Sequence, residues 1–211
     1  MGGSERDTTS MYGRELKDSV INGVAALFNS FCDMKIWVAE TFLGLRLADL
    51  VSPDKTLSCE YAEAVVGREI AKRNRGLDQL DKFILPLFFP GEKGIRHWAI
   101  CVLSPVDKIA KFHDSVPCPL RAIRAKSWTF SLIDLELRAC KDNCGPITAV
   151  GAGWKFVVDK ASPTQQTDHE CGIFVLAHMY SSLNKMDSFE AKNLANLRIR
   201  VAYDLLQGCL H

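Results

Sequence analysis

The residues best able to do chemistry lie in one stretch, Thr164 to Tyr180, TQQTDHECGIFVLAHMY. Its one cysteine, Cys171, follows Gln165, Gln166, Asp168, His169 and Glu170 and precedes an apolar run from Ile173 to Ala177. A cysteine that only fills space belongs inside the apolar run. Cys171 stands at its threshold, where a helix begins and the helix's positive end favours an ionised sulfur. A thiol becomes a useful nucleophile beside a base, typically an imidazole that is itself held by a carboxylate or amide.

Five histidines could supply that base: His97, His113, His169, His178 and His211. His178 lies two turns along the same helix, roughly 10 Å away by helical rise. His211 is terminal. His169 sits two residues from Cys171, within reach but poorly placed to aim at the same point. His97 and His113 fall on neighbouring short apolar segments. His97 opens the first and Asp114 closes the second. If those segments are antiparallel strands joined by a short turn at SPVDK, their outer ends meet at one sheet edge. The pattern favours His97 as base and Asp114 as its partner, with His169 left open. An acyl transfer also needs a donor for the oxyanion, and Gln165, six residues before Cys171, can bring a side-chain amide.

These residues need a scaffold. Asp18–Phe31 carries apolar residues at helical spacing, with Asp18 or Ser19 as cap. Residues 36–51 read as a second helix, with a break at Gly44. Residues 58–76 read as a third, with Ser58 as cap, acids early, Lys72, Arg73 and Arg75 late, and Gly76 as stop. The segments 82–90, 96–105 and 108–116 are short, rich in Ile, Val, Phe and Trp, and separated by Pro and Gly, as strands are. In the second, neither alternating set around Trp98, Ile100 and Val102 is polar, which predicts a central strand buried on both faces. Residues 119–139 return to helix with Pro119 at the first position. Residues 153–160 form one more strand, and 171–183 and 188–208 close the chain as helices. The order predicts an α+β domain, a small, mostly antiparallel sheet packed by helices.

The bulk numbers narrow the setting. The 211 residues are 47% apolar and suit one domain, residues 15–211, behind a flexible N-terminus at 1–14. A net charge of +1 offers no argument for a nucleic-acid partner. No apolar run reaches the roughly 18 residues of a membrane span, and the polar start does not read as a secretory signal. Met1-Gly2 fits an acylation pattern poorly. Eight scattered cysteines read as free thiols in a reducing compartment, nucleus or cytoplasm. Cys140 and Cys144 form a C-x3-C without a second pair at zinc spacing, so neither metal nor cofactor is expected.

Taken together, RHWAICVLSP, KIAKFHDSV and QQTDHECGIFV resemble the ubiquitin-like-protein-specific cysteine proteases, the SUMO and NEDD8 proteases related to adenoviral proteinase. That family has His-Trp on one strand, Asp-Ser ending the next, and a Gln six residues before a Cys-Gly that opens a helix. Here these are His97-Trp98, Asp114-Ser115, Gln165 and Cys171-Gly172. The order His, Asp, Cys also separates the chain from papain, which runs Cys, His, Asn. The likeness spans about residues 35–185. Glu170 and Thr167 stand where the family has Asp and Asn, and Val38-Ala39-Glu40 departs from its Trp-Leu-x-Asp motif. The resemblance implies the papain-like, adenain-like architecture and cleavage after a C-terminal Gly-Gly, by Cys171, His97 and Asp114 with Gln165 at the oxyanion. It implies Trp98 and Trp37 as walls for the glycine tail. It also implies a monomer whose partner is a ubiquitin-like modifier, SUMO first, then NEDD8 or ubiquitin, alone or conjugated. The same triad can serve an acyltransferase, which would need a cosubstrate site with no evident signature. A catalytically silent modifier-binding module would have no use for the intact set.

Overall fold

The segment whose two alternating faces are both apolar lies at the centre of the molecule. The computed structural model describes residues 16–31, 35–50, 59–90, 96–139, 153–184 and 189–210. The N-terminus 1–14, the Ser58 cap and the Cys140/Cys144 pair lie outside them. Strands β1 (Ile36–Val38), β2 (Lys82–Pro90), β3 (Arg96–Ser104), β4 (Ile109–His113) and β5 (Lys155–Val158) form one sheet in that order. Around it, among the described residues, run α1 (Asp18–Phe31), α2 (Thr41–Leu50), α3 (Cys59–Arg73), α4 (Pro119–Ala139), α5 (Cys171–Leu183) and α6 (Leu194–Gln207).

Residues Ala99, Cys101 and Leu103 of β3 join one core with Leu85, Leu87, Phe112, Trp128 and Leu132, beneath α2, α3 and α4. Trp98 and Ile100 join the other with Ile21, Val24, Phe28, Phe174 and Leu176, beneath α1, α5 and α6. Phe28, Phe83 and Phe112 are fully enclosed, and each contributes about 1.5–3 kcal/mol by leaving water. That exceeds the few tenths of a kcal/mol by which ordinary residues differ in helix propensity, so packing decides where the helices sit. Helix α5 is buried from Cys171 to Ser182, as a helix apolar on all sides must be.

The sheet is mixed. β2–β3 and β3–β4 are antiparallel, while β1–β2 and β4–β5 are parallel. The antiparallel centre follows from tight connections. The parallel outer pairs follow from long helical crossovers, α2–α3 before β2 and α4 before β5. The expectation of one helix over 36–51 is corrected to a short strand and then a helix. The reason is tertiary. The Asn29 carboxamide on α1 accepts the Val38 N–H at 2.9 Å and donates to the Val38 carbonyl at 2.8 Å, so it satisfies the edge of β1. Asn22 then accepts the Thr41 N–H at 2.8 Å, at the start of α2. Gly44 does not break α2. A Cβ there would stand 2.6 Å from the Pro86 carbonyl oxygen, so glycine lets the helix lie directly on β2.

Candidate active site

Three segments distant in sequence meet at the edge of this sheet. β3 and β4 are antiparallel, with Ile100 opposite His113, and reverse through the turn at 105–108. The start of β3 and the residues just past β4 therefore share one edge. His97 Nε2 lies 2.7 Å from Asp114 Oδ1, and both side chains are almost wholly buried. α5 packs against β3 from the other side and opens on Cys171, whose thiol lies near enough to the His97 ring to help raise its pKa. Nε2 is committed to Asp114, which leaves Nδ1 for the sulfur. Burial opposes the charged imidazole, but the bonds to Asp114 and Cys171 outweigh it and raise the His97 pKa above 6.5. Burial likewise works against the Asp114 carboxylate. Hydrogen bonds from His97, Arg121 and the Val116 N–H win and hold it below the ordinary carboxylate range.

The loop before α5 is pinned to the end of β4. The Gln165 N–H donates to the Ser115 carbonyl at 3.0 Å, and the Ser115 hydroxyl donates to Gln165 Oε1 at 2.7 Å. One Gln165 amide hydrogen goes to the Thr167 carbonyl at 2.8 Å, which leaves the second N–H of the group for a ligand. Cys171 is the first residue of α5, and a first-turn N–H has no partner within its own helix.

Four residues shape the site beyond those given a role by the sequence reading, which named Ser115 and Glu170 only as motif positions. Arg121, in the first turns of α4, donates through Nε to Asp114 Oδ2 at 3.0 Å and through Nη2 to the Val116 carbonyl. Ser115 anchors Gln165. Glu170 does not cap α5 with its side chain; its carboxylate accepts the N–H groups of Gln166 and Thr167 at 3.1 and 3.3 Å and folds the loop. Arg198, on α6, brings a positive charge close enough to interact with Glu170 and Cys171. Ser115 and Glu170 adjoin motif residues. Arg121 and Arg198 carry no local signal, because only the fold brings them near.

The tryptophans part company. Trp98 is buried on the Cys171 side of the sheet, tilted against Phe88 with 4.8 Å between ring centroids. Trp37 packs on the opposite face and donates its indole N–H to Glu69 at 2.8 Å. It pairs with Phe83, five residues along β2 from the partner of Trp98, roughly 16 Å at strand rise. The structure does not bring Trp37 to the sulfur, because β1 pairs with the far end of β2. The remaining described histidines stand apart. His169 is exposed in the loop. His113 and His178 are buried with ring centroids 4.0 Å apart. His113 Nδ1 lies 3.0 Å from Asp159, and His178 Nε2 lies 3.2 Å from the Ser162 hydroxyl. Among the described residues no cluster of ligating side chains could hold a metal, and Cys101, Cys118, Cys171 and Cys209 are not disulfide-bonded.

No family model matches the chain, and no curated protein matches it in sequence. Solved structures do match. The SUMO protease Ulp1 with its catalytic cysteine oxidised to a sulfenic acid superimposes with a TM-score of 0.72 at 17% identity, covering 99% of this chain and 87% of that one. The Ulp1 protease domain in complex with Smt3, the yeast ortholog of SUMO, gives 0.70 at 16% identity, over 92% and 77%. The Ulp1-like SUMO protease catalytic domain of Chaetomium thermophilum gives 0.63 at 20% identity, over 92% and 73%. The chain has the α+β fold of these proteases.

Proposed function

We propose that the chain is a cysteine peptidase that cleaves after the C-terminal Gly-Gly of a ubiquitin-like modifier, with SUMO as first candidate and NEDD8 and ubiquitin behind it. The observation that carries this reading is the convergence of Cys171, His97 and Asp114 at the start of a buried helix. The shared fold with proteins described as SUMO proteases supports the choice of modifier. In this reading the Cys171 proton passes to His97 Nδ1 and the sulfur adds to the glycine carbonyl carbon. The oxyanion takes hydrogen bonds from the Cys171 N–H and the second Gln165 N–H, an interaction worth about 3 kcal/mol per donor in proteases. The C–N bond breaks as His97 returns the proton to the leaving amine. Water, deprotonated by His97, then releases the modifier and restores the thiol. Asp114 holds the ring in the tautomer and orientation this needs. Trp98 walls the approach on the Cys171 side, where glycine, lacking a Cβ, fits a narrow passage.

The test is a panel of vinyl-sulfone probes made from SUMO, NEDD8 and ubiquitin, each ending in glycine. The expected result is a covalent adduct with at least one modifier, absent in a folded Cys171→Ala variant. Indifference to every modifier together with acetyl-CoA turnover would move the assignment to acyl transfer.

A further inference from the structure

Helix α6 turns Leu194 and Val201 into the core that holds Phe174 and Leu176 of α5. Arg198 stands between them, four residues after one and three before the other, so it shares their face of the helix. An apolar residue is the ordinary occupant of such a place. Instead a half-buried guanidinium lies there, in a groove of about 210 Å³ whose other walls include Leu16, Ile173, Val201 and Leu205. Arg198 is the one charged side chain lining that groove. Leu16 and Ile173 put it against the first turn of α5, since Leu16 abuts Gly172 and Ile173 follows it. Burial works against the guanidinium and lowers its pKa, while the negative charges it meets, Glu170 and ionised Cys171, support it. A charge retained against that cost calls for a partner that uses it.

The two groups that meet Arg198 oppose one another. Glu170 immediately precedes Cys171, and its carboxylate is fixed there because it accepts the Gln166 and Thr167 N–H groups. A carboxylate so placed disfavours a negative charge on the neighbouring sulfur. Resting on the peptidase reading, in which the sulfur must become an anion, we propose that Arg198 is a positioning residue that acts through charge: its guanidinium offsets the Glu170 carboxylate and lets Cys171 and His97 hold their separated charges. The other charged groups around the sulfur are engaged elsewhere or face water. From the sheet the sulfur meets His97, which is held by Asp114, and Asp114 by Arg121. Lys17 and Asp18, beside Leu16, are exposed, as are Asp168 and His169 in the loop. Arg200, further along α6, faces Tyr180 and Asp204.

The experiment follows alkylation of Cys171 by iodoacetamide against pH, read by mass spectrometry of the peptide that contains it. The thiolate is the form that reacts, so the acid limb of the rate reports the charge on the sulfur without any modifier present. Arg198→Met removes the charge and keeps an unbranched side chain. It is expected to move that limb up by about 0.5–1 pH unit, a roughly three- to tenfold slower alkylation at a fixed pH on the limb. Glu170→Gln, whose amide oxygen can still accept the two loop N–H groups, moves the limb down. The double variant returns it close to its starting point, and Arg198→Lys leaves it nearly in place. A limb unmoved by Arg198→Met, or moved the same way by both single changes, overturns the proposal. If Arg198→Met does not fold, Glu170→Gln reads the same pair from its other member, and a limb that fails to move down overturns it. Turnover of each modifier's C-terminal aminomethylcoumarin amide is measured alongside. Limbs that move as expected in a protein that turns over no modifier overturn the peptidase reading and leave the pairing of charges standing.

Discussion

His97 sits between two groups that push its titration in opposite directions. The Asp114 carboxylate raises its pKa and the Arg121 guanidinium lowers it. On the peptidase reading, activity falls on the alkaline side as the imidazolium deprotonates, so the two neighbours leave separate marks on the pH profile. Asp114→Asn is expected to lower kcat by roughly 10³–10⁴-fold, by analogy with the triad of serine proteases. It should also move the alkaline limb of kcat/KM toward lower pH, because a support of the charged ring is gone. Arg121→Ala should cost about tenfold in kcat through looser positioning of Asp114, yet move the same limb toward higher pH. Steady-state profiles on a modifier coumarin amide separate the two. If both limbs moved the same way, Arg121 would be acting on folding rather than on the ring's charge.

The start of α5 is where element packing and chemistry meet. Gly172 follows Cys171, and a Cβ built there would stand 2.8 Å from the Leu16 Cβ, closer than carbon atoms tolerate. The glycine thus lets the chain just ahead of α1 lie against the first turn of α5, so α1 and the site are coupled by contact. Gly172→Ala is expected to destabilise the fold by about 1–3 kcal/mol, as overpacking does, and to lower kcat through displacement of Cys171. Urea denaturation combined with turnover tests this. A variant with unchanged midpoint and rate would show that Leu16 yields freely. α1 also organises the sheet edge: its Asn29 side chain accepts the Val38 N–H at the end of β1, and its Asn22 side chain accepts the Thr41 N–H at the start of α2.

For the whole molecule, the acid limit of stability is expected to come from the buried pair of histidines, His113 and His178. His113 and His178 are packed ring to ring between β4 and α5, with Asp159 and Lys111 facing His113 and Ser162 bonded to His178. Burial pushes both down, His113 to about 4 and His178 to about 2. Each is neutral in the fold and binds a proton near pH 6.5 once unfolded. Their contribution is therefore complete above about pH 6.5 and drains away as the pH falls toward 4, by an amount on the order of 3 kcal/mol for His113 alone. His97, with its raised pKa, works in the opposite sense. Its contribution is complete below 6.5 and fades as the pH rises past its folded value. Thermal melts between pH 7 and 4 are expected to show a steep acid loss, reduced in His178→Gln, which keeps a bonding partner for Ser162 and does not titrate. An undiminished loss in that variant would place the acid sensitivity elsewhere.

Much of the site was legible along the chain. The cysteine at the polar-to-apolar boundary, the histidine opening one strand and the aspartate closing the next follow from local pattern and the geometry of a short reversal, and the structure places Cys171, His97 and Asp114 together. Several helix bounds were equally local, since Pro119 and the spacing in Asp18–Phe31 act within one or two turns. What the chain alone could not decide was every feature set by partners distant in sequence. These include the parallel outer strands, which depend on where long crossovers land, and the strand at Ile36–Val38, which needs the Asn29 side chain on another element. Trp37 shows the limit most plainly. Its residue type suits a substrate wall, but pairing β1 with the far end of β2 puts its ring on the opposite face from Trp98. Alternation along a strand is a property of the sequence, whereas the choice of neighbour, register and face is settled only when two cores fill at once.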